Sequence, residues 1–255
     1  MGGLLEKIVP AARRVMTLFY LVDTSGSMAG TRIGTVNYAM RDCIPLLKSV
    51  ADENDDAEIK VAILEFSTGC SWITPKTGPV GLSDLVWNDL QPGGMTSFGA
   101  ALTELDSKLS RNEFLKSQTG AFAPVILLLS DGGPNDEWQG PLKKIKENNW
   151  FKHAIKIAID IESGSDRAVL EQFTGTSEAI LDATDTATLK KMIHKVSVRA
   201  SEFQSHSKQA SDTITSPEQD SANIVNAVVK DITEENQSMG NTNTDDGDTG
   251  WGSWD

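Results

Sequence analysis

The chain has 255 residues, enough for one large domain with a sizeable core, and a formal net charge of −13. That acidity excludes sequence-independent binding to nucleic acid or to an anionic membrane, because such binding depends on Lys and Arg neutralising phosphates. It favours metal ions and cationic partners instead. The opening residues, MGGLLEKIVPAARR, hold no apolar stretch of signal-peptide length, and no run in the chain is long enough to span a bilayer, so a cytoplasmic location is expected. Glu6 stands where a myristoylation motif requires Ser or Thr. Cys43, on an expected helix, and Cys70, in an expected loop, lack metal-ligand spacing and read as small apolar side chains in a reducing compartment.

In chain order, Val15 to Val22 reads as a strand, Arg32 to Val50 as a helix with apolar residues at helical spacing, and Ile59 to Phe66 as a second strand. Pro45 should kink that helix. A loop-rich stretch carrying Trp72 and Trp87 leads to a helix from about Phe98 to Leu109. There follow an aliphatic strand, Pro124 to Leu129, a helix around Pro141 to Asn148 and a strand from Ala154 to Ile161. A short helix from Asp166 to Phe173, an edge strand at Ala179 to Leu181 and a helix from Thr186 to about Phe203 complete the series. Continuous aliphatic strands alternating with helices predict an α/β fold: a doubly wound, mainly parallel open sheet with helices on both faces, over residues 1–203. Residues 204–255 are rich in Ser, Thr, Asn and Asp and hold ten acidic residues against two lysines. This segment reads as a largely disordered acidic tail with one short amphipathic helix over 222–232.

Asp23-Thr-Ser25-Gly-Ser27-Met28 directly follows the first strand. If the chain stays extended, side chains two apart project to one side, so Asp23, Ser25 and Ser27 converge, with Gly26 allowing a tight turn. The loop lies at the carboxyl end of a strand, where open α/β sheets keep their ligand crevice. Asp131-Gly132-Gly133 ends another strand, and Pro92-Gly93-Gly94-Met95-Thr96-Ser97 is a glycine-rich loop leading into a helix. Two carboxylates and three hydroxyls are thereby offered by three segments. All are hard oxygen donors of the kind that suits Mg²⁺.

Asp23-Thr-Ser25-Gly-Ser27, followed by Thr96 and Asp131 in strand and loop contexts, resembles the metal-ion-dependent adhesion site of von Willebrand factor type A domains, over about residues 12 to 203. The phrasing Gly93-Gly94-Met95-Thr96-Ser97-Phe98-Gly99-Ala100-Ala101-Leu102 and Leu129-Ser130-Asp131-Gly132-Gly133-Pro134-Asn135-Asp136-Glu137-Trp138 is similar to the bacterial TerY-like proteins associated with tellurium resistance and stress response. The resemblance implies that Ser25, Ser27 and Thr96 are inner ligands of Mg²⁺ (or Mn²⁺ or Ca²⁺), that Asp23 and Asp131 act largely through water, and that a partner's Asp or Glu completes the coordination. It also implies partnership with a protein kinase and a PP2C-type phosphatase.

Catalysis is not expected. A phosphotransferase loop would need a carboxylate at position 25, where Ser25 stands, and His153, His194 and His206 are poorly placed to activate a serine nucleophile. The common nucleotide-binding loop Gly-x-x-x-x-Gly-Lys is absent. Two alternatives to a binding module stay open: a subunit of an ATP-driven metal-chelatase-like complex, and a metal-dependent hydrolase using the same cleft. Trp138 is a candidate for a partner surface beside the metal, and Trp251 and Trp254 form a candidate docking pair in the acidic tail. Thr242, Thr244 and Thr249, next to acidic residues, are candidate phosphorylation sites.

Overall fold

A strand that is apolar on both faces must be covered by helices on both, and β1 (Arg14–Asp23) is such a strand: every residue from Val15 to Asp23 is buried. The computed structural model describes residues 13–55, 57–131, 133–161, 166–183, 185–206 and 215–240. Six further strands accompany β1: β2 (Ala57–Ser67), β3 (Gly69–Trp72), β4 (Val80–Gly81), β5 (Val125–Ser130), β6 (Ile155–Ile161) and β7 (Ile180–Ala183). They form one sheet of order β3-β2-β1-β5-β6-β7, with β4 also paired to β2. The β1–β2, β1–β5, β5–β6 and β6–β7 pairs are parallel, while β3 and β4 run antiparallel to β2. Chain order reverses direction across the sheet between β1 and β5, so the crevice at their carboxyl ends is the switch point.

Seven helices are described: α1 (Thr31–Glu53), α2 (Phe98–Lys108), α3 (Gln139–Ile145), α4 (Asn149–Lys152), α5 (Arg167–Thr174), α6 (Thr186–His206) and α7 (Pro217–Gly240). Alternation along the strands divides the core into two layers. Met16, Leu18, Tyr20 and Val22 of β1 join Leu127 of β5 and Ile157 of β6 beneath α1, α6 and α7, whereas Phe19, Leu21, Ile126 and Leu128 face α2, α3 and α5. A polar contact crosses the first layer: the Tyr20 hydroxyl donates to Ser197 Oγ (2.8 Å), which in turn donates to the Ile193 carbonyl. Among the described residues, no helix is long and apolar enough to cross a membrane.

The mainly parallel sheet and the helices expected over its two faces are present, with differences in detail. Cys70 and Trp72 lie in a strand rather than a loop, because β3 pairs back on β2 through Leu64 and Trp72. The Trp72 ring packs 4.7 Å from Phe114, and its indole N–H donates to Glu104. Helix α1 continues through Pro45 to Glu53. Asn148 opens the extra turn α4 by accepting a hydrogen bond from the Trp150 N–H.

The largest departure lies beyond residue 203. The short helix expected over 222–232 extends from Pro217 to Gly240, and it is part of the packed domain rather than an element of a solvated tail. Ser216 Oγ accepts from the Gln219 N–H, Pro217 occupies the first turn, and Glu218 and Asp220 place negative charge at the helix's positive end. Ile224, Val225, Val228 and Ile232 are buried in the same layer as β6 and α6. Ser221 Oγ accepts from the Lys156 N–H of β6, two residues before the pairing with β7 begins. Ion pairs Lys195–Glu235 and Arg199–Asp231 join α7 to α6. The remainder of the acidic segment, with Thr242, Thr244, Thr249, Trp251 and Trp254, lies outside the described residues.

Lys156 is a consequence of this docking. Its side chain is buried, with Nζ donating to the carbonyls of Phe151 and Ala154 and lying 3.9 Å from Glu218 Oε1. Burial pushes its ammonium down to about 8, Glu218 opposing the shift.

Two outcomes test the α7 assignment. Ile224→Ala should destabilise the domain by about 2–5 kcal/mol, the range for truncating a buried aliphatic side chain; urea denaturation showing a change within about 0.5 kcal/mol would place Ile224 in solvent. The pH test uses Lys156→Met as its reference. Folded Lys156 releases its proton near pH 8 and the unfolded side chain near 10.5, so between these values the unfolded state binds more protons and stability rises with pH. The wild type should therefore gain on the variant by up to about 3 kcal/mol across that window. A flat difference between the two proteins would contradict it.

Candidate metal centre

The site begins with Asp23. A strand buried from Val15 onward carries this carboxylate to the switch point and leaves it fully buried. Its Oδ1 accepts the Ser25 N–H (2.8 Å) and its Oδ2 accepts the Ser130 hydroxyl (2.7 Å) from the end of β5. These donors favour the charged form, yet burial dominates, and with Asp131 nearby it holds the carboxyl above its ordinary range. A cation beside Asp23 would relieve that penalty.

Past Asp23 the chain does not stay extended. Ser25 is extended, but Gly26–Met28 forms a 3₁₀ turn, and the turn brings Ser27 back toward Ser25. The two hydroxyl oxygens are 2.9 Å apart, and Ser27 Oγ donates to Asp131 Oδ1 at 2.8 Å. Gly26 serves close approach: its N–H donates to the Gly94 carbonyl, and a side-chain carbon there would lie 3.2 Å from that oxygen. Gly94 does need special backbone freedom, with φ of 78°, and an added carbon would meet Thr68 Oγ1 at 2.4 Å. Thr68 Oγ1 accepts the Met95 N–H, and the Thr24 carbonyl accepts the Gly93 N–H. The glycine-rich loop is thereby fastened to both β1 and β2.

Thr96 is buried in the wall of the same cleft, which has a volume of about 350 Å³ and is lined also by Ser27, Arg32, Asp131 and Asn135. Asn135 holds Thr96 on both sides: its side-chain oxygen accepts the Thr96 N–H (3.0 Å), and its own N–H donates to the Thr96 carbonyl (2.9 Å). Asp136 accepts the N–H groups of Gly99 and Ala100 at the start of α2. The stretch after Asp131 thus sets the position of Thr96 and the helix behind it. Asn135 and Asp136 read from the sequence as turn residues, whereas here they bond backbone 36 to 39 positions away.

Arg32 was also missed. In the first turn of α1, one guanidinium nitrogen donates to Asp131 Oδ2 (2.7 Å) and to the Ser27 carbonyl (2.9 Å). Trp138, expected as a partner surface, is instead an interior residue: it is 9% exposed and its ring lies 6.4 Å from that of Phe98. His153 follows α4 at the amino end of β6, across the sheet from Asp23.

The donor set fits a hard dication. Ser25, Ser27, Thr96 and the two carboxylates supply only oxygen. Among the described residues, no three His, Cys, Asp or Glu side chains cluster, so hydroxyls carry more of the site than charge does.

Among curated proteins none matches the sequence significantly. Solved structures do match in fold. Proximal thread matrix protein 1 from the mussel byssus is 19% identical with a TM-score of 0.55, covering 74% of this chain and 48% of its own, and one of its structures has a zinc-occupied MIDAS motif. The ArnB paralog VWA2 from Sulfolobus acidocaldarius is 15% identical (TM-score 0.52; 72% of this chain, 46% of its own). The pilus adhesin SpaC from Lactobacillus rhamnosus GG is also 15% identical (TM-score 0.55; 74% and 30%). This chain therefore spans less than half the length of each. The sequence profile of the von Willebrand factor type A domain matches residues 18–195, and with the sheet order and the cleft at its switch point the chain belongs to that family.

Proposed function

We propose that the chain is a non-catalytic, metal-dependent protein-binding module. The observation that carries this reading is the line of oxygens from Ser25 through Ser27 to Asp131, of which Ser27 and Asp131 line one cleft with Thr96, while the buried Asp23 carboxylate accepts the Ser25 N–H. Ser25, Ser27 and Thr96 would hold Mg²⁺ (or Mn²⁺ or Ca²⁺), with Asp23 and Asp131 supplying charge and fixing coordinated waters. When bound, the ion supplies a Lewis-acidic position that accepts a carboxylate from a partner's Asp or Glu. Neutral hydroxyl ligands leave most of the ion's charge uncompensated, which keeps it attractive to such a group. The mussel protein's metal-occupied motif supports the choice of a divalent cation.

The finer reading is a cytoplasmic TerY-like protein in a bacterial stress-response or signalling set, with a protein kinase and a PP2C-type phosphatase as partners. The wording of residues 93–102 and 129–138 supports it. On that reading Thr242, Thr244 and Thr249 are phosphorylation sites, and Trp251 and Trp254 are a docking pair.

The discriminating experiment is calorimetric titration with Mg²⁺ and Mn²⁺, followed by pull-down from native lysate with Mg²⁺ or with EDTA. Thr96→Val removes one hydroxyl with little change of shape and should weaken metal binding about tenfold or more at unchanged thermal stability. Asp23→Ala is a poorer probe, because it strands the buried Ser25 N–H at a cost of about 1–3 kcal/mol. Wild-type and Thr96→Val proteins capturing the same partners with or without Mg²⁺ would sink the mechanism. Asn135→Ala should reduce metal affinity by about tenfold although it removes no proposed ligand, because Thr96 loses its clamp. Affinity equal to wild type would show that Thr96 is positioned without it.

A further inference from the structure

The methionines of the fold differ sharply in exposure. Met16, Met28 and Met40 are 0% exposed and Met192 is 7% exposed, whereas Met95 is 53% exposed. Met95 also stands between Gly94 and Thr96, both of which line the cleft. Its backbone is fastened from each side: the Met95 N–H donates to Thr68 Oγ1 (3.0 Å), and the Thr96 N–H donates to Asn135 Oδ1 (3.0 Å). The loop therefore keeps a solvent-open thioether beside the candidate metal centre, while contacts from other segments set its conformation.

An exposed thioether is a substrate for a hydroperoxide. With hydrogen peroxide, a sulfur lone pair attacks one oxygen, the O–O bond breaks and an S–O bond forms. The other oxygen leaves as water, so the peroxide gains the electron pair that sulfur loses. In the core the resulting sulfoxide would place a polar group among aliphatic side chains, but at Met95 it stays in water and the fold can carry it. The thiols compete poorly, because the thiolate is the reactive form and burial raises the pKa of Cys70 and pushes that of Cys43 up to about 12.

We infer that Met95 is a reversible oxidation site that controls what the cleft accepts. A sulfoxide oxygen is the negative end of a dipole and accepts hydrogen bonds without donating any, and an ionised carboxylate does the same. The two disfavour each other, so oxidation weakens the capture of an acidic side chain without removing a metal ligand. Control of the cleft rests on the metal-binding reading, whereas the selectivity of oxidation does not.

The test treats the whole chain with dilute hydrogen peroxide and follows each methionine by peptide mass mapping. Met95 should gain an oxygen about tenfold faster, or more, than Met16, Met28, Met40 and Met192. Thermal unfolding of the protein oxidised at Met95 should match that of the untreated chain. Mn²⁺ binding is then measured by electron paramagnetic resonance in chloride and in acetate, a minimal carboxylate, at constant ionic strength. Acetate should tighten Mn²⁺ binding to the untreated chain about threefold more than to the oxidised one, with affinity in chloride unchanged. Methionine sulfoxide reductases for both epimers should restore the response. Met95→Leu, apolar but without a thioether, should show the same acetate response before and after peroxide.

Oxidation of a core methionine as fast as Met95 overturns the assignment of the site. Equal acetate responses before and after oxidation, absent ones included, overturn control of the cleft while leaving the metal site standing. So does a loss of response in Met95→Leu as large as in wild type, which would place the effect at another residue. If the untreated chain fails to bind Mn²⁺, the metal reading falls and control of the cleft falls with it.

Discussion

The site depends on a buried carboxylate at the end of a strand enclosed by both layers of the core. Asp23 is fully buried because the eight residues before it are buried on both faces, and the layers above and below them leave no route for the carboxylate to reach solvent. Such a group must find donors or a cation. Its donors come from two separate places, the backbone of Ser25 and the hydroxyl of Ser130, so satisfying Asp23 also fixes the β1 loop relative to the end of β5. The cleft's shape follows from that requirement. The glycine-rich loop closes one side because Thr24, Gly26 and Thr68 bind its backbone, and Asn135 fastens Thr96 at its end.

Much of this was legible along the chain because it is written in short-range pattern. The aliphatic runs of β1, β5 and β6 are buried on both faces, and such a strand is recognisable without its neighbours. Asp23, Ser25, Ser27, Thr96 and Asp131 stand out in the sequence because each lies where a strand ends or a helix begins. Their mutual geometry was less so. Extended spacing suggested convergence of Asp23, Ser25 and Ser27, whereas the structure achieves it through a 3₁₀ turn. Arg32, Ser130 and Asn135 act on residues 39 to 107 positions away, a separation that periodicity does not encode. Trp138 shows the converse error: nearness in sequence to Asp131 suggested a rim residue, but packing on Phe98 takes the ring inside.

Helix α7 was hidden for a different reason. The acidic, polar composition of residues 204–255 dominates an average taken over the whole segment, and the buried Ala222, Ile224, Val225, Val228 and Ile232 are diluted in it. The local grammar was nonetheless present: Ser216-Pro217-Glu218-Gln219 is a helix start, with a capping serine, a proline in the first turn and a glutamine three residues on. What no local pattern carries is the receiving surface. β7 begins its pairing with β6 only at Ala158, so Lys156 presents a backbone N–H that Ser221 covers, and the apolar face of α7 settles beside it.

The choice of hydroxyls over carboxylates at the open positions follows from the same burial. Had residues 25 and 27 been acidic, they would have stood against Asp23 and Asp131 as a concentration of like charge, and the fold would have needed its metal to form. Serines avoid that dependence. Ser25, Ser27, Asp131 and Arg32 are joined in a continuous chain of hydrogen bonds. On the proposed metal-binding reading, a cation held there would exchange these contacts for others and relieve the burial penalty on Asp23. A small net difference between two satisfied states is what a reversible, partner-dependent contact requires, since a modest interaction from outside then decides between them.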